Sequence, residues 1–152
     1  MKQDDMIQLF EAHREAEARR DIDAILDTFA DDCFLETVPL GLRSEGRGAA
    51  RAAYATYFTA FPDLAPVDQG MAFGDDVIVV WGVLRGTSGG DWLGVPPSGR
   101  PFEVKFTNVV PFKGGRMAGE LIYFDLATLC EQADLPVDQI RRAAKARAGS
   151  MQ

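Results

Sequence analysis

Between Gly86 and Phe102 the chain reads GTSGGDWLGVPPSGRPF, seventeen residues with five glycines and three prolines. Two readings compete, a phosphate-cradling loop and a hinge between strands. A phosphate loop needs a helix directly after its glycines, because the free N–H groups of the first turn bind the anion, and usually a lysine. The glycines here lead instead into RPFEVKFTNVVPF (100–112), a strand pattern, and no Gly-Lys-Ser/Thr occurs. The stretch is therefore a hinge, and the fold is read as strands turning about it.

Working outward, the period-two pattern fits strands at 65–73, 76–86, 101–112 and 116–125, with turns at GDD (74–76) and KGGR (113–116). Upstream the period is helical. Residues 4–20 place Met6, Leu9, Phe10, His13 and Ala16 on one face, and Asp21 can cap a second helix through Ile22, Ile25, Leu26 and Phe29. CFLETV (33–38) is a short strand ended by Pro39 and Gly41, and a third helix (46–61) turns Tyr54, Tyr57, Phe58 and Phe61 inward. Two more helices fit 127–134 and 136–147, the latter started by Pro136. Helices first and a strand meander afterwards make an α+β domain, a curved antiparallel sheet with helices on one face. VIVVWGVL (77–84) is apolar on both sides and LIYF (121–124) nearly so, so both faces need cover. The helices supply one cover; a second subunit is expected to supply the other.

Composition bounds the rest. The 152 residues, 47% hydrophobic and 26% charged, read as one domain over 1–147 with a disordered tail at 148–152. A net charge of −7 argues against a nucleic-acid partner. No apolar run reaches a membrane span and MKQDDMIQLF is not a signal peptide, so the expected location is cytoplasmic. Cys33 and Cys130 form no metal pattern and read as reduced, buried thiols, and a single histidine argues against zinc.

Parity selects the candidate chemistry. One face of strand 102–112 carries Phe102, Val104, Phe106, Asn108, Val110 and Phe112, so Asn108 is the lone polar side chain in an apolar row. A buried amide must bond something, either neighbouring backbone or a ligand oxygen. If Ile122 and Phe124 share that interior, so does Glu120. Desolvation would raise its pKa and poise it as a general acid or base, unless Arg14 or Arg116 pairs with it. His13 faces the same interior, as a core residue or as a third convergent polar group. Tyr54, Tyr57, Trp81 and Trp92 are core aromatics or pocket walls, and EAEARR (15–20) and RRAAKAR (141–147) read as solvated helix faces.

FPDL (61–64), RGTSGGDWLGVPPSGRPF (85–102) and the GGR, GE and YFDLATL elements (114–129) together resemble the SnoaL-like polyketide cyclases of the nuclear-transport-factor-2-like superfamily. The similarity covers about residues 5–135. It implies a cone-shaped sheet with the N-terminal helices packed on its concave face, a fold that hosts cyclases, ketosteroid isomerases, dehydratases and plain binders. Where the family tends to carry a histidine this chain has Asn108, and where characterised cyclases carry an acid/base aspartate it has Ile122, so the known catalytic pair does not transfer. Ser88 likewise replaces a family histidine. His13 stands eight residues before DIDAILDTFADD, the spacing at which ketosteroid isomerases place an oxyanion tyrosine. Asp125 matches a family aspartate, although capping the helix at 127 suits it as well. Which of Glu36 and Thr37 points inward stays open.

The leading expectation is a cofactor-independent enzyme that abstracts a proton next to a carbonyl of a small apolar compound, polycyclic ones included. His13 and Glu120 would move the proton and Asn108 would anchor oxygen. Tyr54, Tyr57, Trp81, Phe106, Ile122, Phe124 and Asp125 would line the ligand. The alternatives are a non-catalytic small-molecule binder and a structural dimerisation module whose cone is filled.

Overall fold

The computed structural model describes residues 1–150. Helix α1 spans Gln3–Ala18 and buries Met6, Phe10, His13 and Ala16, one side of a 3.6-residue period. Asp21 caps α2 (Ile22–Asp27), its carboxylate accepting from the Ala24 N–H at 3.1 Å. Strand β1 runs Phe29–Thr37, four residues earlier than the sequence indicated, because Phe29 leaves the helix and enters the sheet. A 3-10 turn at Val38–Leu40 ends on Gly41, whose φ of +63° is the left-handed conformation that glycine adopts freely.

The chain then forms β2 (Leu42–Glu45), a four-residue strand too short to show a period. Helix α3 (Gly46–Ala60) leads into β3 (Ala65–Phe73), β4 (Val77–Thr87), β5 (Pro101–Lys113) and β6 (Arg116–Phe124), all within two residues of the expected bounds. Two glycines with positive φ, Gly114 and Gly115, make the tight β5–β6 turn. Helices α4 (Leu126–Gln132) and α5 (Val137–Ser150) close the domain. Residues 148–150 continue α5 instead of forming the expected tail; 151–152 lie outside the described residues.

The six strands form one sheet in the order β2-β1-β6-β5-β4-β3. All neighbours are antiparallel except β1 and β6, which run parallel, with Leu35 opposite Glu120 and Thr37 opposite Ile122. The expected wholly antiparallel sheet is thus mixed at one joint. Local hairpin turns report β3 to β6, whereas the β1–β6 pair is made across the length of the chain. Helices α1, α2 and α3 cover the inner face around Phe10, Ile25, Leu26, Tyr54, Ile78, Val80 and Phe106. A second core, with Phe61, Trp92, Phe102, Leu129 and Ile140, plugs the far end of the cone.

The Gly86–Phe102 hinge supplies that plug. Trp92 and Val95 exchange both backbone hydrogen bonds at 2.9 Å across a turn with Leu93 and Gly94 at positive φ. The N–H groups of Gly89 and Gly90 donate to the Ala60 carbonyl at 3.0 and 3.1 Å, satisfying an acceptor at the open end of α3.

Candidate active site

The first-helix face and two strand faces meet under α3. His13 is fully buried, and Glu17, one turn later on α1, turns toward it. Glu120 on β6 and Asn108 on β5 reach the same point, at 1% and 2% exposure. Tyr54 descends onto them from α3. Parity brought His13, Asn108 and Glu120 together as the sequence indicated.

The hydrogen bonds fix the protonation. Thr28 gives its hydroxyl hydrogen to the Ile25 carbonyl at 2.6 Å, so toward His13 its Oγ1 can only accept. His13 Nδ1 therefore carries a hydrogen and donates it over 2.9 Å. Its Nε2 lies 3.2 Å from the Tyr54 hydroxyl, 3.3 Å from Glu120 Oε1 and 3.5 Å from Glu17 Oε1. Tyr54 donates to Glu120 Oε1, and Asn108 Nδ2 donates to Glu120 Oε2. Arg14 bonds Glu17 at 2.7 Å and clamps Asp68 of β3 with two bonds of 3.1 Å.

Charge is set by this geometry. Burial alone would push the imidazolium down, but Glu120 and then Glu17 outweigh it and raise His13 to about 9. Burial would lift Glu17 too, yet Arg14 and His13 bring it to about 2. Against the same burial, His13 holds Glu120 below its ordinary value. Desolvation had suggested a raised Glu120; the structure reverses the sign because an imidazolium, not a surface arginine, sits beside it. Tyr54 is raised well above its usual range by burial and by Glu120, so it stays a donor.

His13, Glu17 and Glu120 offer ligand atoms within 4.8 Å of one another, a spacing that could hold a metal ion. A cation there would have to displace the Nε2 proton that both carboxylates stabilise.

The cluster forms one wall of an apolar cavity of about 80 Å³. Arg14, Glu17, Tyr54, Asn108 and Glu120 line it together with Tyr57, Phe58, Phe61, Leu84, Phe106, Ile122 and Phe124. His13 does not line it and stands behind Glu120. A second chamber of about 190 Å³ lies beyond Tyr57, between Leu40, Leu42, Ala53, Trp92 and Arg147. Leu35, Tyr57 and Trp92 border both spaces, and the Tyr57 hydroxyl bonds Thr37 Oγ1 across the partition.

Two expected ligand residues lie elsewhere. Trp81 is 44% exposed on the outer sheet face over Gly70, since it pairs with Thr107, the residue beside Asn108 that points the other way. Asp125 caps α4, accepting from the Thr128 N–H at 3.0 Å and its hydroxyl at 2.6 Å. Thr37 is the inward residue of its pair, while Glu36 bonds Arg43 at 2.9 Å outside. Ser88 is buried and accepts from the Ser98 N–H. Glu17 and Thr28 were missed. The first sits in the mixed charge run EAEARR (15–20), which reads as solvated, and its spacing of four from His13 was the available signal.

The family model for the SnoaL-like polyketide cyclases matches residues 7–133. Among solved structures, a proposed SnoaL-like polyketide cyclase from Jannaschia sp. CCS1 has a TM-score of 0.78 at 23% identity, covering 87% of this chain and 93% of its own. A proposed polyketide cyclase from Xanthomonas campestris pv. campestris has 0.78 at 20%, covering 86% and 97%. A hypothetical protein with a ketosteroid isomerase-like fold from Catenulispora acidiphila DSM 44928, in complex with trimethylamine, has 0.75 at 18%, covering 86% and 95%. None of the curated proteins matches this sequence. With the turn motif and the cone fold both in place and the family pattern running over residues 7–133, the chain belongs to the SnoaL-like polyketide cyclase family.

Proposed function

We propose that this protein is a cofactor-independent enzyme that moves a proton next to a carbonyl group of a small apolar compound, in an isomerisation, cyclisation or elimination. The observation that carries the reading is Glu120: 1% exposed, on the wall of an apolar cavity, and held below its ordinary pKa by His13 against the effect of burial. As the base, it would take the proton, and negative charge would pass from carboxylate to enolate over a short distance. His13, protonated behind it, and Arg14 in the cavity wall remain as fixed positive charge for that enolate. His13 is thus the group that orients and stabilises. Asn108, expected as an oxygen anchor, gives an N–H to Glu120 and positions the base.

The test needs no natural substrate. Exchange of the α-protons of 2-tetralone in D2O, tracked by NMR, should be accelerated by the protein. Glu120→Gln should cut that rate by about 10²–10⁴-fold, the usual worth of a positioned base. An unchanged rate refutes the assignment. Because the active form needs His13 protonated and Glu120 ionised, the rate should hold through neutral pH and fall as pH rises through about 9.

A second reading, a non-catalytic binder, is favoured by the three donors on Glu120, which weaken it as a base. It requires a guest recovered unchanged after hours with the protein. For the assembly, we propose a homodimer through the outer sheet face, where Val67, Trp81 and Tyr123 stand exposed at 39%, 44% and 43%.

A further inference from the structure

The carboxamide of Asn108 has one arm without a partner. Its nitrogen is anchored on Glu120, while Oδ1 is buried and receives no hydrogen bond. Exchanging the two arms would set the amide oxygen against a carboxylate oxygen of an ionised Glu120, two acceptors with no hydrogen between them, so the orientation is fixed. Asn108 lines the apolar cavity, where its neighbours Phe106, Ile122 and Phe124 carry no side-chain donor and the donors Arg14, Tyr54 and Tyr57 are engaged with Glu17 and Asp68, with Glu120 and with Thr37. A buried acceptor left unmade is costly, and a donor on an occupant of the cavity that Asn108 lines would relieve it.

We propose that Asn108 selects ligands by accepting a hydrogen bond through Oδ1, so that the guest is an apolar molecule bearing a hydroxyl, in enol, phenol or alcohol form, beside the reacting position. This rests on the cavity being the ligand site, and it reverses the polarity that the sequence assigned to Asn108. A ligand offering only a carbonyl to this residue leaves Oδ1 unpaired and is discriminated against. The hydroxyl also orients the guest, because one donor must meet one acceptor while the remaining contacts are non-directional.

The test compares 1-(2-naphthyl)ethanol with 2-acetylnaphthalene, which share a skeleton but differ in having or lacking a donor. Binding is measured by calorimetry and thermal shift. The alcohol should bind wild type roughly tenfold tighter or more, and Asn108→Leu, which offers no acceptor, should bind the two alike. Equal affinity in wild type, or a ketone preference, overturns the proposal without the variant; so does an alcohol preference that persists in Asn108→Leu. If α-proton exchange of 2-tetralone is absent while the alcohol preference holds, the catalytic reading fails and this one stands. If exchange is catalysed and no preference exists, only this one fails.

Discussion

His13 uses both ring nitrogens within the protein, Nδ1 on Thr28 and Nε2 among Tyr54, Glu120 and Glu17. A buried imidazolium between two carboxylates ties stability to pH. His13 rises from 6.5 to about 9 on folding, so its contribution is complete below about 6.5 and is lost as pH climbs through about 9. Glu17 falls from 4.5 to about 2, so its contribution is present above about 4.5 and disappears as pH drops through about 2. Thermal melts across pH should therefore show a plateau between those ordinary values and a decline on each side. In His13→Ala the two carboxylates lose their shared cation, and denaturant unfolding near neutral pH should register a loss of about 3–5 kcal/mol. A loss below about 1 kcal/mol, the range of exposed ion pairs, would mean the cluster is solvated.

At the scale of elements, the glycine-rich hinge acts by close approach as well as by turning. A Cβ on Gly90 would overlap the Thr59 carbonyl at the end of α3, where Gly89 and Gly90 also satisfy Ala60. Gly90→Ala should cost about 1–3 kcal/mol by overpacking, read from the shift in denaturation midpoint. Gly48 is the contrast. It lies in α3 with nothing near its missing side chain, and Gly48→Ala should raise stability by about 0.5–1 kcal/mol. Equal effects at the two positions would remove the docking explanation. The meander was legible in the sequence to within two residues because turn chemistry and alternation are local. Strand β2 was not, since four residues between glycines carry no period.

For the whole molecule, β4 poses the question of what covers its second face. Ile78 and Val80 are buried beneath the helices, while Val79 and Trp81 point outward beside Thr107 and Tyr123. A second copy seated there should bury about 800 Å² per partner, the standard size for a stable pair. Sedimentation of wild type at micromolar concentration should give a dimer, and Trp81→Lys should shift it to monomer while 2-tetralone exchange by the separated subunit persists. A monomeric wild type would leave Trp81 as a surface residue over Gly70 alone.

By itself the sequence determined the inward faces of α1, β5 and β6, because strand alternation and helical period are properties of consecutive residues. His13, Asn108 and Glu120 were found that way. Only the tertiary structure decided what they are to one another. The sign of the Glu120 shift, the inward turn of Glu17 from a mixed charge run, and the free oxygen of Asn108 depend on how closely α1, β5 and β6 approach, with His13 Nε2 3.3 Å from Glu120 and 3.5 Å from Glu17. Electrostatic and hydrogen-bond energies are set by such separations, and separation in space across 107 positions of chain, from His13 to Glu120, is not written in the local pattern.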